Sequence, residues 1–491
     1  MRRSALVAAT VLLLAACKTV GPDYRGPPPQ AMIKAPAAEG PFVGAAGQGI
    51  SSAEPPQHWW RLYADPRLDA LVLQALSANT DLRVAAANLE QAQALLAQTL
   101  SERSIATTIA GGVQYGQPSA EQYLQSQPIP PGLEYTASFS AAYQLDLFGR
   151  LRRADEASRA DVEAAMAARD AARVTVAAET ARAYADVCGA GLRVAAARRS
   201  LALQQQARAL TLRLIGAGRG SAQDLTRAQA QVEQSRSGLP ALETLQRSAL
   251  YRLAVLTGRP PAEYRRDLEA CAAPPRLSSS LPVGDGAALL RRRPDVRQAE
   301  RQLAAATARI GVATADLYPA VSIGASVGST GLVQDFLAPA TRSFGVGPLL
   351  SWTFPNRRAA RARIAAASAV AAADLARFDG VVLTALRETE TALTAYAHDM
   401  QQNGALAAAR AQAELARAQA ERLYRAGRDS FLPVLDAERT LASADAALAT
   451  SQAQLSADQI GIFLALGGGW EDGPEAEPAP AAARLGAKTG R

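Results

Sequence analysis

The chain contains one helix break twice. Leu214–Gln229 reads LIGAGRGSAQDLTRAQ, and 209 residues later Leu423–Glu438 reads LYRAGRDSFLPVLDAE. ETARAYADV (Glu179–Val187) and ETETALTAY (Glu388–Tyr396) share that offset. DLRVAAANLEQAQALLAQTLSERS (Asp81–Ser104) resembles DVRQAERQLAAATARIGVATADLY (Asp295–Tyr318), offset by 214. The chain is therefore two copies of one unit of about 200 residues, a tandem duplication rather than a solenoid of short repeats.

Each copy predicts a helix, two strands, a long helix, the break and a second helix. The first repeat spans 67–257, with a β-hairpin over 104–147, a long helix over 150–214 and a helix over 222–257. A Pro/Gly-rich linker, 258–286, leads to the second repeat, 287–466, with a hairpin over 318–354, a long helix over 358–425 and a helix over 433–466. The long helices carry no proline, and about 65 residues at roughly 1.5 Å each span about 100 Å, far beyond a globular helix. After each break apolar residues recur at heptad spacing: Leu225, Val232, Leu239 and Leu253 in copy one, Val434, Leu441, Leu448, Leu455 and Ile462 in copy two. That is a coiled-coil seam, antiparallel across the break.

The strands rest on alternation. In 133–147, Leu133, Tyr135, Ala137, Phe139, Ala141, Tyr143, Leu145 and Leu147 share one face, and Glu134, Thr136, Ser138, Ser140, Ala142, Gln144 and Asp146 the other. Ile105, Ile109, Val113 and Tyr115 mark a second strand, Val321, Ile323, Ala325 and Val327 a third, and Phe344, Val346, Leu350, Trp352 and Phe354 a fourth. A soluble sheet with one buried face would alternate too. Here the polar faces are small and largely uncharged, as a lumen lining is, and strands of this kind fit a transmembrane β-barrel. After the N-terminus no apolar run approaches ~18 residues, so any membrane crossing falls to strands. Four strands cannot close a barrel, and open edges are not tolerated in lipid, so copies of the chain must share one barrel.

The N-terminus, MRRSALVAATVLLLAACKT, is a secretory signal: Arg2 and Arg3 precede a short apolar stretch. Leu14-Ala15-Ala16-Cys17 matches the bacterial lipobox, which predicts removal of 1–16 and acylation of Cys17, an anchor for outer membrane lipids. Cys188 and Cys271 then lie in an oxidising compartment and suggest one disulfide, the alternative being two buried thiols. The net charge of +7 is spread along helices as scattered arginine among Glu and Asp, which argues against nucleic acid. His58 and His398 are far apart in sequence, so a metal site is not expected, and no phosphate loop, nucleophile elbow or Cys–His pattern marks a cofactor site or an enzyme.

Together CKTVGPDYRGPP (Cys17–Pro28), WWRLYADPRLDALVLQAL (Trp59–Leu76), YQLDLFGRLRR (Tyr143–Arg153), RRRPDVRQAE (Arg291–Glu300) and AGRDSFLPVLDAERTL (Ala426–Leu441) resemble the outer membrane factor family of TolC/OprM type, in particular the NodT-type lipoproteins of resistance–nodulation–division efflux systems. The resemblance covers about residues 20–470. It implies an α+β membrane protein: a homotrimer whose twelve-stranded barrel, four strands per protomer, lies in the outer membrane of a Gram-negative bacterium. A long α-helical barrel would continue it into the periplasm, with an equatorial belt that takes in 17–66, the linker and the C-terminal region. The tail, 467–491, is expected to be disordered. The implied function is the outer membrane channel of a tripartite efflux system, a passive export duct served by a periplasmic membrane fusion (adaptor) protein and an inner-membrane resistance–nodulation–division pump.

In that family the breaks are periplasmic tips that narrow the tunnel. The resemblance makes Gly218, Gly427, Tyr424, Arg428, Asp224 and Asp436 the tip and gate residues. Asp436 matches one of two acidic constriction positions, while Pro433 stands at the other, which leaves ion selectivity open. Asp436 can equally serve the start of its helix. Asp224 matches a carboxylate that bonds the neighbouring tip, for which Tyr424 or Arg428 would be the partner, and Ser221-Ala-Gln-Asp224 also reads as a capping box. Two other readings compete, a channel for type I protein secretion and a periplasmic coiled-coil lipoprotein scaffold without a barrel. The exported substrate is not encoded in any visible pocket motif.

Overall fold

A computed structural model describes residues 19–468 apart from 47–48, 118, 122–123, 125, 278 and 353–356. The signal sequence, Cys17, Phe354 and the tail from residue 469 lie outside the described residues. The main elements in chain order are α1 (Pro66–Ala78), α2 (Thr80–Ser101), β1 (Ala106–Gly116), β2 (Gly132–Leu145), α3 (Arg150–Gly216), α4 (Ala222–Leu256), α5 (Gly286–Arg292), α6 (Pro294–Ala315), β3 (Ala320–Leu332), β4 (Arg342–Ser351), α7 (Arg357–Arg425) and α8 (Phe431–Ala465). The chain forms two compact units, one of Met1–Pro28, Asn88–Met166 and Gln298–Phe378, the other of Pro29–Ala87, Ala167–Arg297 and Asp379–Arg491.

The first unit holds an antiparallel four-stranded sheet in the order β1-β2-β3-β4. Its middle ladder joins the two sequence repeats, because β2 belongs to the first and β3 to the second. Register sets apolar rows across all four strands. Ile109 faces Phe139, Phe139 faces Val327, and Val327 faces Phe344. This row is open, with Ile109 84% and Phe344 89% exposed. The alternate rows are small and polar, as in Thr108, Ser140 and Ser326. A water-soluble sheet would bury one of these faces, whereas this one presents its apolar face outward and leaves β1 and β4 without an outer neighbour in the sheet.

The N-terminal segment is fastened to the same unit. Arg153, its side chain 3% exposed, donates to the carbonyls of Val20 and Gly21 at 3.1 and 3.3 Å, and to Asp23 and Glu156 at 2.5 and 2.7 Å. A Cβ on Gly21 would lie 2.4 Å from the Cα of Gly311, so the two backbones touch where only glycine fits.

The second unit is built on aromatic packing. Trp59 stacks on Phe463 with centroids 4.6 Å apart, and Trp60, Leu68, Tyr184, Leu253 and Ile460 are buried around them. Asp65 caps α1 through the amide of Arg67, and Pro66 occupies its first turn. Cys188 on α3 and Cys271 in the linker are joined by a disulfide with Cα atoms 4.7 Å apart. The linker is also paired through Leu281–Pro282 with Ile50–Ser51 in a short parallel bridge.

Several boundaries differ from the sequence expectation. The first strand starts at Ala106 and the second stops at Leu145, short of Leu147. Helix α4 runs through Pro240, which removes one backbone bond and crowds the carbonyl one turn back without ending the helix. Helix α8 begins at Phe431, two residues before the expected 433. No helix among the described residues is long and apolar enough to cross a membrane.

Candidate functional site: the helix tips

Both breaks are built alike. Gly218 and Gly427 take φ of +73° and +69°, the left-handed conformation that ends a helix cheaply only with glycine. In copy one the amides of Gly218 and Arg219 reach back to the carbonyls of Ile215 and Leu214 at 2.9 and 2.8 Å; in copy two those of Gly427 and Arg428 reach Tyr424 and Leu423 at 2.9 and 3.0 Å. These bonds satisfy the last helical carbonyls and reverse the chain.

Beyond the turns the two tips diverge. Copy one uses polar capping: the Ser221 hydroxyl accepts from the Asp224 amide at 3.2 Å and donates to the Asp224 carboxylate at 2.7 Å. Arg227 stands 4.0 Å from the same carboxylate. Copy two uses packing instead. Tyr424 and Phe431 meet at 5.4 Å, and with Val434, Leu435 and Ala228 they form a small buried cluster. Ser430 precedes α8 without a side-chain cap bond, so this staple fixes the start of the helix two residues early.

Arg219 links the tips. Its guanidinium donates to the carbonyl of Ala426 at 3.3 Å, a cation at the C-terminal end of α7. A Cβ on Gly427 would meet Arg219 Nη2 at 2.1 Å, so a side chain there would push the guanidinium aside. Within the chain, Asp224 bonds neither Tyr424 nor Arg428 among the described residues; Ser221 and Arg227 are its partners. The Tyr424 hydroxyl is buried with no hydrogen-bond partner among them. Asp436, Arg428, Gly218 and Gly427 are exposed. Higher on the same helices Glu438 is buried, and burial pushes its carboxyl up to about 7, with Arg417 opposing and Glu421 adding to the rise.

A family model described as outer membrane efflux protein matches residues 71–259 and 287–468, most of both repeats. The chain belongs to the outer membrane efflux protein family. As such it is 30% identical to nodulation protein T of Rhizobium leguminosarum bv. viciae over 480 residues, which span 96% of this chain and 95% of that protein. It is also 30% identical to the toluene efflux pump outer membrane protein TtgC of Pseudomonas putida over 483 residues, covering 94% and 95%. Among solved structures, the outer-membrane channel OprN superposes with a TM-score of 0.84 at 36% identity, over 92% of this chain and all of that one. This efflux protein is thus an outer membrane channel with a long helical domain, as the sequence resemblance implied.

Of the residues that resemblance marked, Gly218, Gly427, Tyr424, Asp224, Arg428 and Asp436 all lie at or beside the two reversals. Cys17 lies outside the described residues. Arg219 and Glu438 were not marked. Arg219 sits among many arginines, and its significance is a carbonyl 207 positions away. Glu438 was visible as an acid inside an apolar heptad seam, a signal the strand and tip motifs overshadowed.

Proposed function

We propose that this chain is the exit duct of a tripartite efflux system, working as a homotrimer. Three sheets would close a twelve-stranded barrel in the outer membrane, and the long helices would supply a periplasmic tunnel. The carrying observation is the four-stranded sheet with an exposed apolar face and two unpaired edges. Lipid accepts the face, and further copies must cover the edges. Acylated Cys17 would add a second hold on the membrane. The driving energy would come from an inner-membrane pump, reached through a periplasmic adaptor docked on the tips.

In this reading the tips are the gate. Asp436 of three protomers would ring the bore and favour cations. Asp224 would latch to Tyr424 or Arg428 of the neighbouring tip, and Arg428, which is exposed, is open to such a contact. The test is single-channel recording on trimers purified from outer membranes and seen intact on unheated detergent gels. Asp224→Ala and Tyr424→Phe are each expected to raise conductance severalfold. Unchanged conductance in both refutes the latch, and purified trimers that never conduct, even as Asp436→Ala, refute the channel assembly. Mass spectrometry of the mature N-terminus decides acylation, which Cys17→Ser should abolish.

A further inference from the structure

Helices α7 and α8 run antiparallel above the second tip, and their charges follow the heptad. Arg410 and Arg417 are seven apart on α7, as Glu438 and Asp445 are on α8. Antiparallel register sets Arg410 opposite Asp445 and Arg417 opposite Glu438. The first rung is closed, with Arg410 Nε 2.9 Å from Asp445 Oδ1. The second, one heptad nearer the tip, is not made. Arg417 turns back along its own helix to Glu421 at 2.8 Å and Glu414 at 3.8 Å. Its Nε is buried with no hydrogen-bond partner among the described residues. Glu438 is only 7% exposed as a residue.

The surroundings leave room for the second rung to close. A cavity of about 10 Å3, the size of one water molecule, is lined by Ser200, Leu203 and Gln204 of α3, Arg417 of α7, and Glu438 and Leu441 of α8. Gln204 Oε1 accepts from the Ser235 hydroxyl of α4 at 2.8 Å, and its Nε2 is buried without a partner among the described residues. Arg417 is redundant where it stands. Glu414 keeps Arg410 at 2.8 Å, and Glu421 keeps Arg425, if Arg417 leaves. The groups facing Glu438 are then Arg417 and Glu421 from α7, neutral Gln204 and Ser200 from α3, and Asp445, already paired, from its own helix.

We propose that Arg417 and Glu438 form a proton-operated rung: neutral Glu438 leaves it open, and ionised Glu438 draws Arg417 across the cavity and ties the first turns of α8 to α7. Burial supports a working range near neutrality, since it lifts the Glu438 carboxyl to about 7 against the pull of Arg417. A tied α8 holds Asp436 and the tip cluster in place, and an untied one frees them. Acid would therefore loosen the tip and base would stiffen it. The consequence for conduction rests on the reading of the tips as a gate; the rung itself does not.

Hydrogen exchange on the full trimer tests the rung. Protection of amides in Phe431–Leu441, corrected for intrinsic exchange, should rise about tenfold between pH 5.5 and pH 8, the size of one charge-assisted bond gained. Glu438→Gln and Arg417→Gln should each abolish the step, while Asp445→Asn, which opens the neighbouring rung, should keep it. A flat wild-type profile, or a step that survives in Glu438→Gln, overturns the rung. Conductance recorded across the same range separates the two ideas. A step in exchange without one in open probability upholds the rung and removes the gate reading. No step in exchange, alongside a conductance rise in Asp224→Ala, removes the rung and leaves the gate.

Discussion

Removing the Cys188–Cys271 bridge should cost more stability than any single side chain in the second unit. The bond closes a loop of 83 residues. In the chain-entropy picture a loop of that length restricts the unfolded chain by about 4.5 kcal/mol. Both positions are buried, so alanine is the neutral replacement: serine would strand a hydroxyl at Cys188. The released linker would keep other holds. The Gln246 amide reaches the Glu269 carbonyl at 2.9 Å, and the Ser456 hydroxyl reaches that of Pro275 at 2.7 Å. Leu268 stays fully buried, and α3 approaches so closely that a Cβ on Gly191 would lie 1.9 Å from the Cys271 carbonyl. These native contacts do not offset the loss, because the bridge acts on the unfolded chain. Urea unfolding of the Cys188→Ala/Cys271→Ala variant in detergent should show a loss of about 4 kcal/mol. Wild-type protein unfolded with dithiothreitol should match it. A loss under about 1 kcal/mol, or a reductant that leaves the wild type unmoved, would refute a stabilisation set by loop length.

Three further outcomes follow from single sites. Gly218→Ala and Gly427→Ala should each cost the strain of a left-handed alanine, about 1–2 kcal/mol, because nothing lies within 4 Å of the first Cβ position and only the movable Arg219 guanidinium lies at the second; unequal melting shifts, with Gly427→Ala the costlier, would show that Arg219 holds the tips together. Asp399→Asn should stabilise the protein above pH 6 and leave it unchanged near pH 4. Burial and Asp399 raise the Asp458 carboxyl to about 6, so its contribution is present below the ordinary carboxylate range and is lost as pH rises through 6; thermal melts at the two pH values check the sign. Arg153→Ala removes the bonds to the carbonyls of Val20 and Gly21 and to Asp23 and should lose about 1–2 kcal/mol, together with faster trypsin cleavage at Arg25; an unchanged cleavage rate would show that the segment is held by the glycine contacts alone.

The strands were legible because the two faces of one sheet carry different kinds of side chain. Phe139 and Phe344 lie on one face and Ser140 and Ser326 on the other, and a period of two follows directly. The long helices were legible because proline is missing from them, and the breaks because glycine at 218 and 427 has few other reasons to stand in an alanine-rich run. What alternation could not supply is the order of pairing. That β2 meets β3, so that the two repeats are sewn together at Phe139 and Val327, depends on contacts 188 residues apart. The start of α8 was misread for a related reason. Pro433 is a strong local start signal, yet the decisive contact is Phe431 against Tyr424 across the turn. Local rules place a helix end to within a turn, and packing chooses the residue.

The duplication explains the shape of the candidate gate better than either tip does alone. Two copies of one reversal began with the same glycine at the same step, and the equal φ values at 218 and 427 keep that origin visible. Their surroundings then took different work. Copy one holds its tip by polar groups: exposed Ser221 and Arg227 and half-buried Asp224. Copy two holds its tip by a buried ring pair, and one heptad on it carries a buried acid, Glu438, whose rung is unmade. A device that opens needs one element that stays rigid and another whose hold can be changed by a small free energy. The Schellman turns supply the first in both copies. Copy two offers a candidate for the second, since burial lifts the Glu438 carboxyl to about 7 and a small change of pH near neutrality alters its charge. Placing that change of charge on one tip rather than both would let a trimer change three contacts instead of six.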